Sequence, residues 1–180
     1  MYTSRAAKLS RADLKDIFSG VKFSVRTKSY SGGASIRVCW QDGPTVEEVE
    51  TVTNRYTGST FDGMQDLREP VYHTVKGKTV QYGASCIITA RYLSLDFLAP
   101  IVQRVAETYR VPAPQLTARR SWDDRYAEVD WGERDFTPVI PGGLDDFYTM
   151  VHDEAKQVSA YRRGKTSKTP PVATPHIGEF

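Results

Sequence analysis

A chain of 180 residues is long enough for one ordinary domain with a real core and short for two. Apolar residues at 39% and charged residues at 26% place it among globular rather than disordered chains, so a packed fold is expected. A formal net charge of +2 excludes an argument for nucleic acid or anionic membrane from bulk charge, and any such claim must rest on where the charges cluster.

Residues 5–18 repeat apolar positions near a helical period at Ala7, Leu14, Ile17 and Phe18, with Ser4 as the expected N-cap. Arg5, Lys8, Arg11 and Lys15 fall on the other side, either as a solvated face or as a phosphate-facing one. The next runs alternate. Phe23 and Val25 oppose Lys22, Ser24, Arg26 and Lys28, and after Ser31-Gly32-Gly33, Ile36, Val38 and Trp40 oppose Arg37, Cys39 and Gln41. Alternation on both sides of a Gly-Gly turn predicts a hairpin with one core face and one polar, partly basic face.

Asp42-Gly43-Pro44 breaks the strand, and Pro44 suits the first position of a helix reaching residue 57. Glu47, Glu48 and Glu50 read as charge favoured at the positive end of the helix dipole rather than as catalytic acids. A loop over 59–66 precedes strands at 71–75 and 80–92 around Lys76-Gly77-Lys78. A helix over about 94–110 follows, in which Pro100 predicts a kink or a late start. After Val111-Pro112-Ala113-Pro114, residues 116–122 and 125–131 suggest a hairpin, 144–161 a last helix, and 162–180 a flexible basic tail.

The short motifs of the first half carry a resemblance when taken together and in order. They are Ala7-Lys8-Leu9, Val21-Lys22-Phe23-Ser24-Val25-Arg26, Tyr30-Ser31-Gly32-Gly33 and Trp40-Gln41-Asp42-Gly43-Pro44-Thr45, then Phe61-Asp62-Gly63-Met64, Tyr82-Gly83-Ala84 and Ala90-Arg91-Tyr92. Over roughly residues 5–93 the chain resembles the large polyvalent protein-associated domains, class twenty-nine. The resemblance implies a phage or conjugative-element context, in which such domains accompany enzymes that meet host DNA or defence systems or stand alone as short proteins. It implies no catalytic residues.

The expected fold is α+β: a mainly antiparallel sheet of about four strands from 22–41 and 70–92, with helices packed largely on one face, plus a C-terminal hairpin and helix. Residues 1–111 read as the main domain, 112–161 as an extension packed on the same core or standing as a small appendage, and 162–180 as the tail.

Catalytic chemistry finds little support. Cys39 and Cys86 lie in strand-like runs outside any metal spacing and read as core residues, and His73, His152 and His176 sit in separate segments. Asp62, Asp66, Glu69 and His73 offer metal-type ligands but match no known spacing, so Asp62 and Gly63 read as residues that shape a loop. No enzyme activity, cofactor or metal is expected.

Two binding readings remain. In one, a host or phage protein meets a surface containing Arg119, Arg120, Trp122, Arg125, Tyr126 and Trp131, since aromatics interleaved with arginines typify interface centres; the alternative for these rings is internal packing. In the other, nucleic acid meets Lys22, Arg26, Lys28 and Arg37 on the hairpin face, with Arg162, Arg163, Lys165 and Lys168 of the tail. Tyr30, at the turn, is the one aromatic that face offers. With no apolar leader and no apolar run of membrane-spanning length, a cytoplasmic location in a host bacterium is expected, without a membrane partner.

Overall fold

The computed structural model describes residues 2–62, 64, 67–75, 77–120, 126–131 and 147–161. They divide into two compact units. Among the described residues one comprises the chain up to Cys39 together with Val46–Ala90, the other Trp40–Thr45 with the residues from Arg91 to Tyr161.

The first unit opens with α1 (Thr3–Ile17), whose Ala6, Ala7, Ser10, Leu14 and Ile17 form a buried stripe at helical spacing. Ser4 does not cap it. The N-cap is Tyr2, in extended conformation with no side-chain cap bond, and its carbonyl accepts from Arg5 and Ala6. The helix packs against β1 (Ser24–Tyr30) and α2 (Val46–Thr53).

Strands β1 and β2 (Gly33–Gln41) form the expected hairpin, pairing Val25 with Val38, Arg26 with Arg37, Thr27 with Ile36, Lys28 with Ser35 and Tyr30 with Gly33. The alternation predicted from sequence is real on the core side, where Val25, Ile36 and Val38 are buried. The third strand of this sheet is β7 (Cys86–Tyr92), giving the order β1-β2-β7. Ser85 N–H donates to the Ala34 carbonyl at one end and Asp42 N–H to the Tyr92 carbonyl at the other. Starts meet starts and ends meet ends, so β2 and β7 run parallel, as a connection that includes a helix permits.

Between them, a 3-10 turn (Asn54–Tyr56) extends α2, and two further hairpins follow: β3 (Ser59–Asp62) with β4 (Leu67–Pro70), and β5 (Tyr72–Val75) with β6 (Lys78–Gln81). The predicted loop over 59–66 is thus partly strand. The run from 80 to 92 is interrupted at Tyr82–Ser85 because the chain there turns toward Gly58, whose N–H donates to the Ala84 carbonyl at 2.7 Å. Architecture and pairing remain α+β and mainly antiparallel, as expected, with β5–β6 a separate ladder instead of part of one larger sheet.

In the second unit, α3 (Leu95–Tyr109) starts at Ser94, whose hydroxyl accepts from Phe97 N–H, and it runs through the exposed Pro100 without a late start. Its Leu98, Ile101, Val102, Val105 and Ala106 share a core with Phe147, Val151 and Ala155 of α4 (Phe147–Gln157). That shared core places α3 in the same unit as the C-terminal elements. The C-terminal hairpin, β8 (Thr117–Arg120) with β9 (Ala127–Asp130), precedes α4 as predicted, and Leu116 and Val129 pack against the helical core. Pro44 is not the first residue of α2. It is buried, and its carbonyl accepts from Trp40 Nε1 at 2.9 Å.

Candidate functional site

Strand alternation puts Arg26, Lys28 and Tyr30 of β1 on one face with their partners Arg37, Ser35 and Gly33 of β2. Arg26, Lys28 and Arg37 are exposed. None of the three makes an ion pair or side-chain hydrogen bond among the described residues. Arg26 and Arg37 stand directly opposite each other, an arrangement that like charges in a ladder normally disfavour. On the same face Ser35, opposite Lys28 and between Gly33 and Arg37, is buried, as is Cys39 at the far end opposite Ser24. Lys22 is exposed but precedes β1 and so lies off the ladder.

The charge asymmetry around this hairpin is local. Residues 1–40 hold eight basic side chains against two acidic ones, Asp13 and Asp16. Asp13 is already engaged: its Oδ2 accepts from Arg55 Nη2 at 2.6 Å and from the Tyr56 hydroxyl. Burial, reinforced by the bond to Asp13, pushes the Tyr56 hydroxyl well above the ordinary phenol range, so it stays protonated as a donor. Arg11 is committed as well, donating to the Val25 carbonyl on β1. The cations left to solvent on the strand face are therefore Arg26, Lys28 and Arg37.

The family described as large polyvalent protein associated domain 29 matches residues 1–94, just over half of the chain. The chain belongs to this family. The match takes in the whole β1–β2 hairpin and ends two residues past β7, so the domain 29 portion carries the basic face and the elements behind it. No curated protein and no solved structure matches the chain.

Of the side chains expected at a protein interface, those of Arg119, Tyr126 and Trp131 are described. Tyr126 is buried, its ring stacked on Tyr92 with centroids 4.5 Å apart. Trp131 is half-buried against Tyr148 and His152, so both rings serve internal packing of the second unit. Arg119 faces Glu128 across β8–β9 at 3.4 Å. The backbone of Arg120 ends β8, while Trp122 and Arg125 lie outside the described residues, as do Arg162, Arg163, Lys165 and Lys168 of the tail.

Of the acidic and imidazole residues weighed for metal, His73 and Glu69 have described side chains. His73 Nε2 lies 2.7 Å from the Thr57 carbonyl, which only a protonated nitrogen can satisfy, and its ring packs on Tyr82. Glu69 is exposed on β4; Asp62 ends β3, and Gly63 and Asp66 lie outside the described residues. Among the described residues no group of three His, Cys, Asp or Glu could hold a metal ion, and no helix is long and apolar enough to cross a membrane. Cys39 is buried and Cys86 half-buried, both as free thiols.

Two relationships had no counterpart in the sequence reading. Glu50 is not merely helix-terminal charge, because its Oε1 accepts from Thr89 Oγ1 of β7 at 2.8 Å. Arg91 donates to four main-chain carbonyls, those of Asp42, Gly43, Ala155 and Val158, and its guanidinium lies over Phe97.

Proposed function

We propose that this chain is a non-enzymatic accessory protein of a phage or conjugative element that acts by binding nucleic acid through the exposed basic face of β1–β2. The observation that carries the reading is the ladder itself. Arg26 opposite Arg37, with Lys28 two residues along, is a cluster of cations with no acidic partner among the described residues. Such a cluster is relieved by an external polyanion, and the phosphate backbone supplies evenly spaced anions without sequence information. Family membership supports the setting, since the domain is one associated with large polyvalent proteins, the class for which the sequence resemblance implies a phage or conjugative-element context.

The protein-partner reading leaned on exposed aromatic anchors at 122–131. With Tyr126 stacked on Tyr92 and Trp131 against Tyr148, it keeps less support than the basic face does.

Fluorescence anisotropy of labelled DNA and RNA oligomers with wild type and an Arg26→Ala/Lys28→Ala/Arg37→Ala variant tests the proposal. Binding by wild type that the variant loses, with unchanged circular dichroism, is the expected result. Equal binding by both proteins would move the site elsewhere, and no binding at low salt would remove nucleic acid from consideration.

A further inference from the structure

We infer that the ligand of the β1–β2 face is single-stranded nucleic acid, with one base stacked on the Tyr30 ring while Lys28, Arg26 and Arg37 meet its phosphates. The inference rests on reading the face as a phosphate surface and adds the feature that selects the strand form.

Tyr30 is not merely at the turn. It is the last residue of β1, two residues from Lys28 and four from Arg26, and so shares their face. Its cross-strand partner is Gly33, which leaves a gap in β2 where a side chain would otherwise stand. A Cβ at Gly33 would lie 3.3 Å from Tyr30 Cε2 and 2.3 Å from Ser85 Oγ, so the ring edge and the Ser85 hydroxyl both border the space over the glycine. Ser85 is itself held, its hydroxyl accepting from Ala34 N–H. The ring is thus seated against the ladder by one edge, yet 41% of Tyr30 stays exposed.

A seated, half-exposed aromatic ring beside unpaired cations is the combination that single-strand binders use. In a duplex the base faces are occupied by their neighbours, and only an unpaired strand can present one to a tyrosine. Same-face residues along β1 recur about every 6.8 Å. That is close to the step between successive phosphates of an extended strand, so a base over Tyr30 brings the backbone past Lys28 and then Arg26. Stacking tolerates any base, so the ring adds affinity without sequence preference.

The test compares labelled oligothymidylate, oligouridylate and a duplex of equal length, bound to wild type, Tyr30→Ala, Tyr30→Phe and the triple cation variant. Both single strands are expected to bind wild type more tightly than the duplex does. Tyr30→Ala weakens the single strands about tenfold and leaves duplex binding unchanged, while Tyr30→Phe behaves as wild type. Photocrosslinking of a 5-iodouracil oligomer is expected to mark Tyr30. If Tyr30→Ala changes nothing while the triple variant still loses binding, the stacking inference is overturned and the phosphate surface stands. If Tyr30→Ala and Tyr30→Phe weaken single strand and duplex alike, the ring is structural and the inference is again overturned. If wild type binds none of the probes, both readings fall.

Discussion

Arg26 and Arg37 face each other across the β1–β2 ladder, two exposed guanidinium groups with no acidic partner among the described residues. A ladder selected for stability alone favours opposite charges at such a pair, so the arrangement costs the fold a little. Arg26→Glu converts it to an ion pair and is expected to raise stability by about 0.5 kcal/mol, or about 1–2 °C in Tm. The same substitution should abolish oligonucleotide binding. Thermal melts beside anisotropy check both halves, and a lower Tm would remove the argument that the pair is kept for binding.

Gly58 makes a different kind of demand. A Cβ there would stand 1.7 Å from the Tyr82 carbonyl oxygen, a main-chain atom that cannot swing aside. The Gly58 carbonyl also accepts from Val71 N–H and Gln81 Nε2, which fixes its position. Gly58→Ala is expected to cost about 3 kcal/mol or more, read as a shifted urea midpoint. A change within experimental error would mean that the approach of Gly58 to Tyr82 relaxes freely.

Arg91 ties the second unit together. Its guanidinium donates to Asp42 and Gly43 carbonyls on one side and to the Ala155 and Val158 carbonyls at the end of α4 on the other. Asp42 answers from its own side chain, accepting from Ser94 N–H while held at a φ of 52°. Arg91→Ala leaves those carbonyls without their donor and is expected to cost about 3 kcal/mol. Arg91→Lys should recover only part, because an ammonium cannot fork to four acceptors in a plane. Chemical denaturation of the two variants ranks them, and equal stabilities would contradict the forked geometry.

His152 gives the chain a pH dependence. It packs against Trp131 and Tyr148, its Nε2 is buried without a hydrogen-bond partner among the described residues, and burial, with Lys156 nearby, holds its pKa below the ordinary 6.5. Asp153 opposes that shift only in part. The unfolded chain therefore takes up a proton near pH 6.5 that the folded chain resists, so stability falls as pH drops below that value and levels off beneath the folded pKa. His152→Phe should flatten this limb of a Tm-against-pH curve; an unchanged limb would assign it to other groups.

Much of the fold was legible because periodicity reports burial. The alternation Val25, Ile36, Val38 located the hairpin, and Leu98, Val102 and Val105 located α3. What escaped depended on main-chain partners far along the chain. Nothing in the residue type of Arg91 announces that its acceptors are carbonyls at 42, 43, 155 and 158, and nothing at Gly58 announces Tyr82. The basic face was readable as a pattern, since Arg26, Lys28 and Arg37 alternate with apolar residues. Whether Tyr126 and Trp131 turn inward or outward was not, because interface centres and cores share their composition. Tyr30 was visible as an aromatic, but its seat depends on Gly33 and on Ser85, brought in by the parallel strand.

The most direct measurement is the salt dependence of oligonucleotide affinity. For three ladder cations meeting phosphates of a single strand, log K should fall against log salt concentration with a slope of about −2, becoming shallower by about 0.7 for each of Arg26, Lys28 and Arg37 replaced by alanine. A slope unchanged by all three substitutions would contradict the account, because it would show that the phosphates are held somewhere other than this face.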